Sequence, residues 1–236
     1  RFGAVTRFEE VKALYLEPNP KRVETVKGTY TACTVVLSTG ATPRRLAVPG
    51  EEALAGRGVA YCATCDGMYY RGKEVAVLGG GNSAAEEALY LSKICPKVYL
   101  VHRRDALRAE KSSVQALQRA GNIEFVWNAT VEGFVTGGER GSLQALVLKS
   151  TQDGHTWQLA CEGAFVAMGR VPNTALVAGK VNLDAQGYVV ADETTRTSVP
   201  GVFAVGDVRT KAVRQIVTAA ADGAVAAHFA QEFIEQ

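Results

Sequence analysis

Short apolar runs alternate with amphipathic stretches through the middle of the chain. The strands predicted there are 74–78, 98–101 and 123–127, and the helices are 83–94 and about 111–119. Strands that alternate with helices favour a parallel sheet covered by helices, which is the α/β class. Hairpin-like strands are predicted at about 130–161, and a further apolar strand ends at Met168.

Both ends of the chain carry more strands, and a long helix closes it. The predicted strands are 11–16, 22–26, 33–38 and 202–205, and the helix is about 213–235. The run at 33–38 is continuously apolar, as in buried strands. Pro43 and Pro49 break the first series of strands, and Pro172 marks a second break. The pattern predicts a first domain at 1–44 that resumes at 169–236, with an inserted domain at 45–168.

Composition excludes several classes of function. The 236 residues are 47% hydrophobic and 21% charged, with a formal net charge of +2, as in an ordinary globular protein. This charge is too small to favour nucleic acid or an anionic membrane as a partner. No apolar run approaches the roughly 20 residues of a membrane helix.

The cysteines point to redox chemistry rather than to a secreted framework. Of five cysteines, only Cys62 and Cys65 are close in sequence. One C-x-x-C within an odd total suits a reducing, cytoplasmic compartment, where such a pair is usually catalytic or half of a metal site. Cys33, Cys95 and Cys161 lie in apolar settings, and we expect packed core thiols.

A glycine turn joins the strand at 74–78 to the next helix. The motif G-x-G-x-x-A consists of Gly79, Gly80, Gly81, Asn82, Ser83 and Ala84. In dinucleotide-binding folds the first glycine permits the turn, the second admits the pyrophosphate, and the small third residue lets helix pack on strand. The helix start attracts phosphates. The motif predicts a dinucleotide site, and the alternative is a merely structural turn.

The second strand of this unit ends in basic residues. NAD-binding folds place an acid about 20 residues after the glycines, where it holds the ribose 2′-hydroxyl. This strand runs instead into His102, Arg103 and Arg104. Guanidinium groups match phosphate oxygens, which predicts NADPH. Arg108 reaches the same place if the segment is helical. The alternative is a solvated basic cluster.

Cys62, Cys65 and Asp66 form the motif C-x-x-C-D. Two thiols at this spacing can form a disulfide that opens and closes easily. Zinc is the rival ligand, but it normally takes four ligands and the chain has no second C-x-x-C. Asp66 suits the proton transfers of thiol–disulfide exchange. Its alternative role is a helix or turn cap.

A last candidate site follows the apolar strand at 202–205. Its residues are Gly206, Asp207, Arg214, Gln215 and Ile216. An acid at the carboxyl end of a strand faces the ligand crevice of α/β folds. It suits a polyhydroxyl chain such as ribityl.

Together these segments closely resemble the low-molecular-weight thioredoxin reductases over essentially the whole chain. The shared motifs occur in the same order: Thr39-Gly40-Ala41, 62–67, 79–87, 102–110, Gly169 with 172–174, and 200–208. The resemblance implies two Rossmann-like domains of three-layer ββα architecture, with an NADPH domain inserted into an FAD domain. It also implies a homodimer whose NADPH domain rotates between two poses.

The resemblance further implies a reaction. NADPH reduces FAD, the flavin reduces the Cys62–Cys65 disulfide, and the dithiol reduces thioredoxin or a similar small protein. Cys65 is then the flavin-side sulfur, Cys62 attacks the substrate, and Asp66 is the acid/base. The implied cofactor residues are Gly79, Gly81, Asn82, Ser83, Ala84, Glu86, His102, Arg103, Arg104 and Arg108 for NADPH, and Thr39, Gly40, Gly206, Asp207, Arg214, Gln215 and Ile216 for FAD. No metal is expected.

The start of the chain departs from the family pattern. The family's FAD domain opens with its own G-x-G-x-x-G unit, which is absent before Thr39. We therefore expect the adenine and pyrophosphate half of the FAD site to lie before Arg1, and expect these residues alone to hold FAD weakly or not at all.

Three other interpretations stay open at this point. The substrate could be a peroxiredoxin-reducing partner instead of thioredoxin. The chain could be a flavin-free NADPH module that uses Cys62 and Cys65 as a redox sensor, which flavin absorbance would exclude. It could also be a zinc-stabilised binding protein, which metal analysis would decide.

Overall fold

The structure is a computed structural model that describes residues 3–17, 19–138 and 141–236. Contacts divide the chain into two compact units. Unit 1 comprises Arg1–Thr42 and Arg170–Gln236, and unit 2 comprises Pro43–Gly169. Unit 2 is therefore inserted into unit 1. Within the described ranges, no helix combines the length and the apolar character needed to cross a membrane.

The elements are numbered in chain order. The strands are β1 Val11–Tyr15, β2 Lys21–Thr25, β3 Thr29–Ala32, β4 Val35–Leu37, β5 Ala41–Pro43, β6 Val59–Ala60, β7 Glu74–Leu78, β8 Lys97–Val101, β9 Ile123–Val126, β10 Ala129–Gly137, β11 Ser142–Ser150, β12 Thr156–Ala160, β13 Gly163–Val166, β14 Arg170–Pro172 and β15 Val202–Ala204. The helices are α1 Glu51–Leu54, α2 Ala63–Asp66, α3 Asn82–Leu91, α4 Lys111–Arg119 and α5 Ile216–Glu235, with 3-10 turns at Gly67–Tyr70, Ala175–Val177 and Gly206–Val208.

Over its described residues, unit 2 is a three-layer ββα sandwich. The central sheet has the order β6-β13-β7-β8-β9, and every neighbouring pair is parallel. Helices α2, α3 and α4 lie on one face, and the antiparallel sheet β10-β11-β12 lies on the other. This α/β fold agrees with the class predicted from the sequence.

The alternation of side chains along β7 explains the two covered faces. Val75 and Val77 pack with Ala84 and other residues of α3, whereas Ala76 and Leu78 pack under β11. Successive strand residues point to opposite faces, so a strand covered on both sides is continuously apolar. Packing on both faces of the sheet therefore fixes the carboxyl end of β7, from which the glycine turn starts.

Unit 1 combines an antiparallel sheet β1-β2-β3 with a parallel pair β4–β15 and the pair β5–β14. Its core includes Leu14, Leu37, Val189 and Val202, all buried. Helix α5 packs on β15 through Ala226, next to Phe203 and Val205. The carboxyl end of β15 and the start of α5 thus lie in one compact region.

The predicted strand at 33–38 is only partly correct. Strand β4 covers Val35–Leu37, and Val36 is 44% exposed. Cys33 is an exposed free thiol, so the expectation of a packed core thiol is wrong for this residue, whereas Cys95 and Cys161 are buried as expected. The reason is that, among the described strands, β4 pairs only with β15. An apolar run by itself does not reveal how many neighbours a strand has.

Candidate redox and nucleotide sites

The disulfide forms one tight turn at the start of α2. Cys62 and Cys65 are bonded to each other, with their Cα atoms 5.3 Å apart. The Cys65 N–H donates to Cys62 Sγ at 3.2 Å, and the Asp66 N–H donates to the Cys62 carbonyl oxygen at 3.1 Å. Cys65 is exposed and Cys62 is half-buried. The bond is therefore accessible to an attacking thiolate.

The segment after the disulfide is anchored on α3. A Cβ at Gly67 would come within 2.9 Å of Tyr90 and 3.2 Å of Leu91, so a larger residue would have to displace these side chains. Tyr70 packs edge-on against Phe165, with ring centroids 5.2 Å apart. The disulfide segment therefore packs on the helix that leads away from the glycine turn.

Asp66 lies half-buried directly after the disulfide. It occupies the cap position of the 3-10 turn Gly67–Tyr70, but its side chain makes no capping hydrogen bond. The cap interpretation of its carboxylate is therefore wrong. Burial raises the pKa of Tyr70, and the charge of Asp66 raises it further. Asp66 is the acidic group nearest in sequence to the two sulfurs, which suits proton transfer.

The glycine turn is held by close packing at two of its three glycines. A Cβ at Gly79 would overlap the carbonyl oxygen of Ala167, and it would lie 2.9 Å from the Cβ of buried Ala84. A Cβ at Gly80 would overlap the ring of His102. A Cβ at Gly81 would meet nothing within 4 Å. Open space above Gly81, at the start of α3, is where the sequence places a pyrophosphate.

The start of α3 offers backbone donors to a ligand. Gly81 is its N-cap and provides no side-chain hydrogen bond to the helix. The side chain of Asn82 is directed to Glu110 instead, accepting the Glu110 N–H at 2.8 Å. Ser83 and Glu86 are exposed. A helix start of this kind carries a partial positive charge that favours phosphate.

His102 is part of the packing of this site rather than of its surface. Its ring lies against Gly80 and is 6% exposed, and its Nε2 has no hydrogen-bond partner among the described residues. Burial lowers the pKa of His102, and the charges of Arg108, Arg104 and Arg103 lower it further. A neutral imidazole packs against the turn but adds little electrostatic attraction for a phosphate.

Three exposed arginines surround His102. Arg103, Arg104 and Arg108 all act on the pKa of its ring, so their charges converge on one place. Within the described ranges, no carboxylate forms an ion pair with any of the three. The segment is not helical, so the reason given for Arg108 was wrong. Its N–H donates to the Gly80 carbonyl oxygen at 2.7 Å, which fixes its backbone at the glycine turn.

Residues that the sequence did not single out support these arginines. The Thr151 hydroxyl donates to the Arg103 carbonyl oxygen at 3.3 Å. The Asn128 N–H donates to the Arg104 carbonyl oxygen at 3.3 Å, and the Thr151 N–H donates to the Asn128 carbonyl oxygen at 2.7 Å. These contacts join loops that are distant in sequence. The one local feature that fits this arrangement is Asn128 itself. Its φ is 53°, and asparagine tolerates a positive φ better than most residues.

In unit 1, Thr39 and Gly40 are clamped by Asn173. The Thr39 hydroxyl donates to the Asn173 carbonyl oxygen at 2.7 Å, and the Asn173 amide donates back to the Thr39 carbonyl oxygen at 2.8 Å. Gly40 has a φ of 70° and open space beside it. Asn173 was noticed only as part of a shared motif, and the structure gives it a clear role in fixing this turn.

Gly206 and Asp207 form the turn at the carboxyl end of β15. Gly206 has a φ of 72°, which favours glycine, and its N–H donates to Asp222 Oδ2 at 2.8 Å. Asp207 is partly exposed. Sequence reasoning missed Asp222. Its signal was that it is the single charged residue between Gln215 and His228.

The start of α5 contains the remaining predicted residues. Arg214 stacks on Tyr188, with its guanidinium carbon 4.0 Å from the ring centroid, and its buried Nε lacks a hydrogen-bond partner among the described residues. Gln215 and Thr218 form a reciprocal capping box. Ile216 is 90% exposed. An orphaned guanidinium donor and an exposed apolar side chain both suit contact with a polar, aromatic ligand.

No cluster of three or more His, Cys, Asp or Glu side chains suited to a metal occurs in the described part of the chain. Burial raises the pKa of Cys95 to about 11 and that of Cys161 to about 12. Those two thiols are therefore inert near neutral pH. Cys62 and Cys65 are therefore the cysteines of unit 2 that are suited to redox chemistry.

This architecture and disulfide agree with comparisons to known proteins. Residues 3–223 match the family of pyridine nucleotide-disulphide oxidoreductases. Thioredoxin reductase from Treponema pallidum is 44% identical, with 99% of this chain and 75% of that protein covered. Thioredoxin reductase from Listeria monocytogenes is 42% identical, with 100% and 73% covered.

Solved structures give the same answer. Thioredoxin reductase from Streptococcus pyogenes superposes with a TM-score of 0.89 at 38% identity, covering 96% of this chain and 74% of that one. The Giardia duodenalis enzyme gives 0.90 at 35% identity, covering 99% and 77%. The fold and site thus define a pyridine nucleotide–disulphide oxidoreductase. Within that class, the chain belongs to the thioredoxin reductase family.

Proposed function

We propose that this chain passes electrons from NADPH, by way of FAD, to the Cys62–Cys65 disulfide, and from the dithiol to thioredoxin or a similar small disulfide protein. The observation that carries the proposal is the accessible Cys62–Cys65 disulfide, whose segment packs on α3, the helix that begins at the glycine turn. The relatives named as thioredoxin reductases support the choice of substrate. We further propose a cytoplasmic homodimer. One C-x-x-C disulfide beside free thiols suits a reducing compartment, and the dimer rests on family resemblance.

Residues of unit 2 bind the nucleotide in this proposal. The backbone at Gly81 and the start of α3 receive the pyrophosphate, because the space there is open and the helix start favours anions. Arg103, Arg104 and Arg108 bind the 2′-phosphate. Their guanidinium groups form no ion pair within the described part of the chain and are gathered around a neutral His102, which supports this role. Ser83 and Glu86 are exposed on the same helix and face a bound nucleotide.

Residues of unit 1 bind the flavin. Asp207 would accept hydrogen bonds from the ribityl chain, and the guanidinium group of Arg214, which stacks on Tyr188, would contact the ligand. Gln215, Ile216 and the Thr39–Gly40 turn complete this surface. When bound, FAD supplies the two-electron chemistry between the nicotinamide and the disulfide.

The dithiol carries out the exchange with the protein substrate. The Cys62 thiolate attacks one sulfur of the substrate disulfide, forming a mixed disulfide and releasing a substrate thiolate. The Cys65 thiolate then attacks Cys62 Sγ, which restores the Cys62–Cys65 bond and releases the second substrate thiolate. Asp66 supplies and receives the protons that these sulfurs exchange.

A turnover assay tests the proposal. The flavin-loaded protein should reduce thioredoxin with NADPH, and Cys62→Ser or Cys65→Ser should each abolish the activity. Cys33→Ser, which removes an exposed thiol in unit 1, is the matched control and should retain full activity. A serine variant at position 62 or 65 that still turned over near the normal rate would refute the proposal.

A further inference from the structure

Asp222 joins three segments of unit 1 through one carboxylate. Its Oδ2 accepts the Gly206 N–H at 2.8 Å, Arg209 Nε at 2.9 Å and Lys211 Nζ at 2.7 Å. Its Oδ1 accepts Arg209 Nη2 at 2.9 Å. The Asp222 cluster, defined as Asp222, Arg209 and Lys211, therefore ties the turn after β15 and the segment that follows it to the second turn of α5.

The cluster carries an excess of positive charge in a buried place. The side chains of Asp222, Arg209 and Lys211 are 9%, 4% and 8% exposed. Within the cluster, one carboxylate between two cations leaves a formal charge of +1. Asp192 and Glu193 also act on Arg209 from outside the cluster, and both are exposed. Burial raises the pKa of Asp222, but hydrogen bonds from Arg209, Lys211 and Gly206 outweigh burial and hold the pKa far below its usual range. Since solvent screening is weak there, this charge acts on its surroundings.

The cluster touches both segments that we assign to the flavin. Asp207 directly follows Gly206, whose N–H is bonded to Asp222. On the other side, Lys211 Nζ also donates to the Thr218 carbonyl oxygen, and Arg214 Nη2 donates to the Arg209 carbonyl oxygen. Displacement of Asp222 would therefore move the turn at Asp207 and the start of α5 together.

We propose that Asp222 is a positioning residue for the flavin. It holds Asp207 and Arg214 in place, and it limits the buried charge beside them to +1. The inference rests on the proposed function, because that function places the flavin at these residues. Reduction adds negative charge to a flavin, so a more positive cluster favours the reduced form and a less positive cluster disfavours it.

A series of charge variants in the flavin-loaded protein tests this role. Asp222→Asn leaves two cations unopposed, Lys211→Met leaves a neutral pair, and the double variant restores the original net charge without the original hydrogen bonds. The flavin midpoint potential, measured by dye-mediated titration, should be highest in Asp222→Asn and lowest in Lys211→Met. It should return close to the unmodified value in the double variant. Asp222→Asn and the double variant should both lose FAD affinity, on the order of tenfold.

Glu232→Gln is the matched control, because it removes the same charge from the same helix at a side chain that is 45% exposed. It should change neither the potential nor FAD affinity. The inference would be overturned if the flavin midpoint potential did not change with the charge of the cluster. It would also be overturned if the potential shifted as much in Glu232→Gln as in Asp222→Asn. Lys211→Met keeps the test decisive if Asp222→Asn does not fold. NADPH-dependent thioredoxin reduction by the unmodified protein is measured beside the series. If the unmodified protein did not reduce thioredoxin, the proposed function would be wrong. If it did reduce thioredoxin but the flavin potential did not depend on the charge of the cluster, only this inference would be wrong.

Discussion

The ring of His102 lies so close to Gly80 that a Cβ at position 80 would overlap it, whereas a Cβ at the neighbouring Gly81 would meet nothing within 4 Å. Two adjacent glycines of one motif therefore serve different purposes. Gly80 lets the second strand of the βαβ unit dock on the turn. Gly81 keeps space free at the start of α3, where we place a phosphate.

Alanine at these two positions should separate stability from binding. Gly80→Ala must displace the His102 ring and should lower the free energy of unfolding by about 1–3 kcal/mol, the usual cost of overpacking. Gly81→Ala should lower stability less, because the space is open, φ is −99° and only the preference for glycine over alanine at the N-cap is lost, but it should weaken NADPH binding. Urea unfolding and NADPH titration of both variants test this. Equal losses of stability would contradict the packing described.

Arg103 and Arg104 should determine the preference for NADPH. Hydrogen bonds to charged groups contribute about 1.5–3 kcal/mol each. Replacing both arginines by alanine should therefore raise the KM for NADPH on the order of a hundredfold, while the KM for NADH stays almost constant. Arg119→Ala, an exposed arginine at the end of α4, is the control. An equal rise for both nucleotides would remove these residues from the 2′-phosphate site.

His102 should make the fold less stable in mild acid. Its pKa in the folded protein is lowered from 6.5, chiefly by burial. Below about pH 6.5 the unfolded chain binds a proton that the folded protein resists, so stability falls as the pH falls. Urea midpoints at about pH 7 and pH 5.5 should therefore differ less in His102→Gln than in the unmodified protein. The control His155→Gln, at an exposed position, should retain the full difference, and a similar difference in all three proteins would speak against the neutral, buried ring.

The thiols should react in three groups. Cys33 is exposed and should be labelled in the oxidised protein, and Cys62 and Cys65 should be labelled only after reduction. Cys95 and Cys161 should resist labelling until the protein unfolds, since both are buried and their pKa values are raised to about 11 and 12. Mass spectrometry of alkylated peptides distinguishes the groups. Rapid labelling of Cys161 in the native protein would contradict the core of unit 2.

The sequence predicted what depends on local pattern and missed what depends on distant contacts. The strand, glycine turn and helix around Gly79 could be predicted, because the spacing of hydrophobic residues and the run of glycines indicate them locally. The exposure of Cys33 depends on which strands lie beside β4, and no local pattern encodes that. Arg108 was expected beside Arg104 only if the segment were helical, but a hydrogen bond to Gly80 rather than a helix fixes its backbone.

His102 and Asp222 show the same limit at the candidate sites. Both are polar residues whose burial is decided by residues outside their own helix or strand. His102 was grouped with the arginines as a surface ligand, but the fold turns its ring onto Gly80. Asp222 looked like an ordinary helix residue, yet its partners Arg209 and Lys211 lie before the helix begins. Charged residues in apolar helices are therefore worth testing as buried partners.

The central claim is that electrons from NADPH reach Cys62 and Cys65 through a flavin, and an anaerobic titration with NADPH tests it most directly. Without a protein substrate, the flavin and the disulfide can each accept one electron pair. The unmodified protein, loaded with flavin, should therefore consume about two equivalents of NADPH, and flavin-loaded Cys62→Ser or Cys65→Ser should consume about one. Cys33→Ser should behave like the unmodified protein. Equal consumption by the unmodified protein and by the Cys62 and Cys65 variants would show that the disulfide lies outside the path of the electrons.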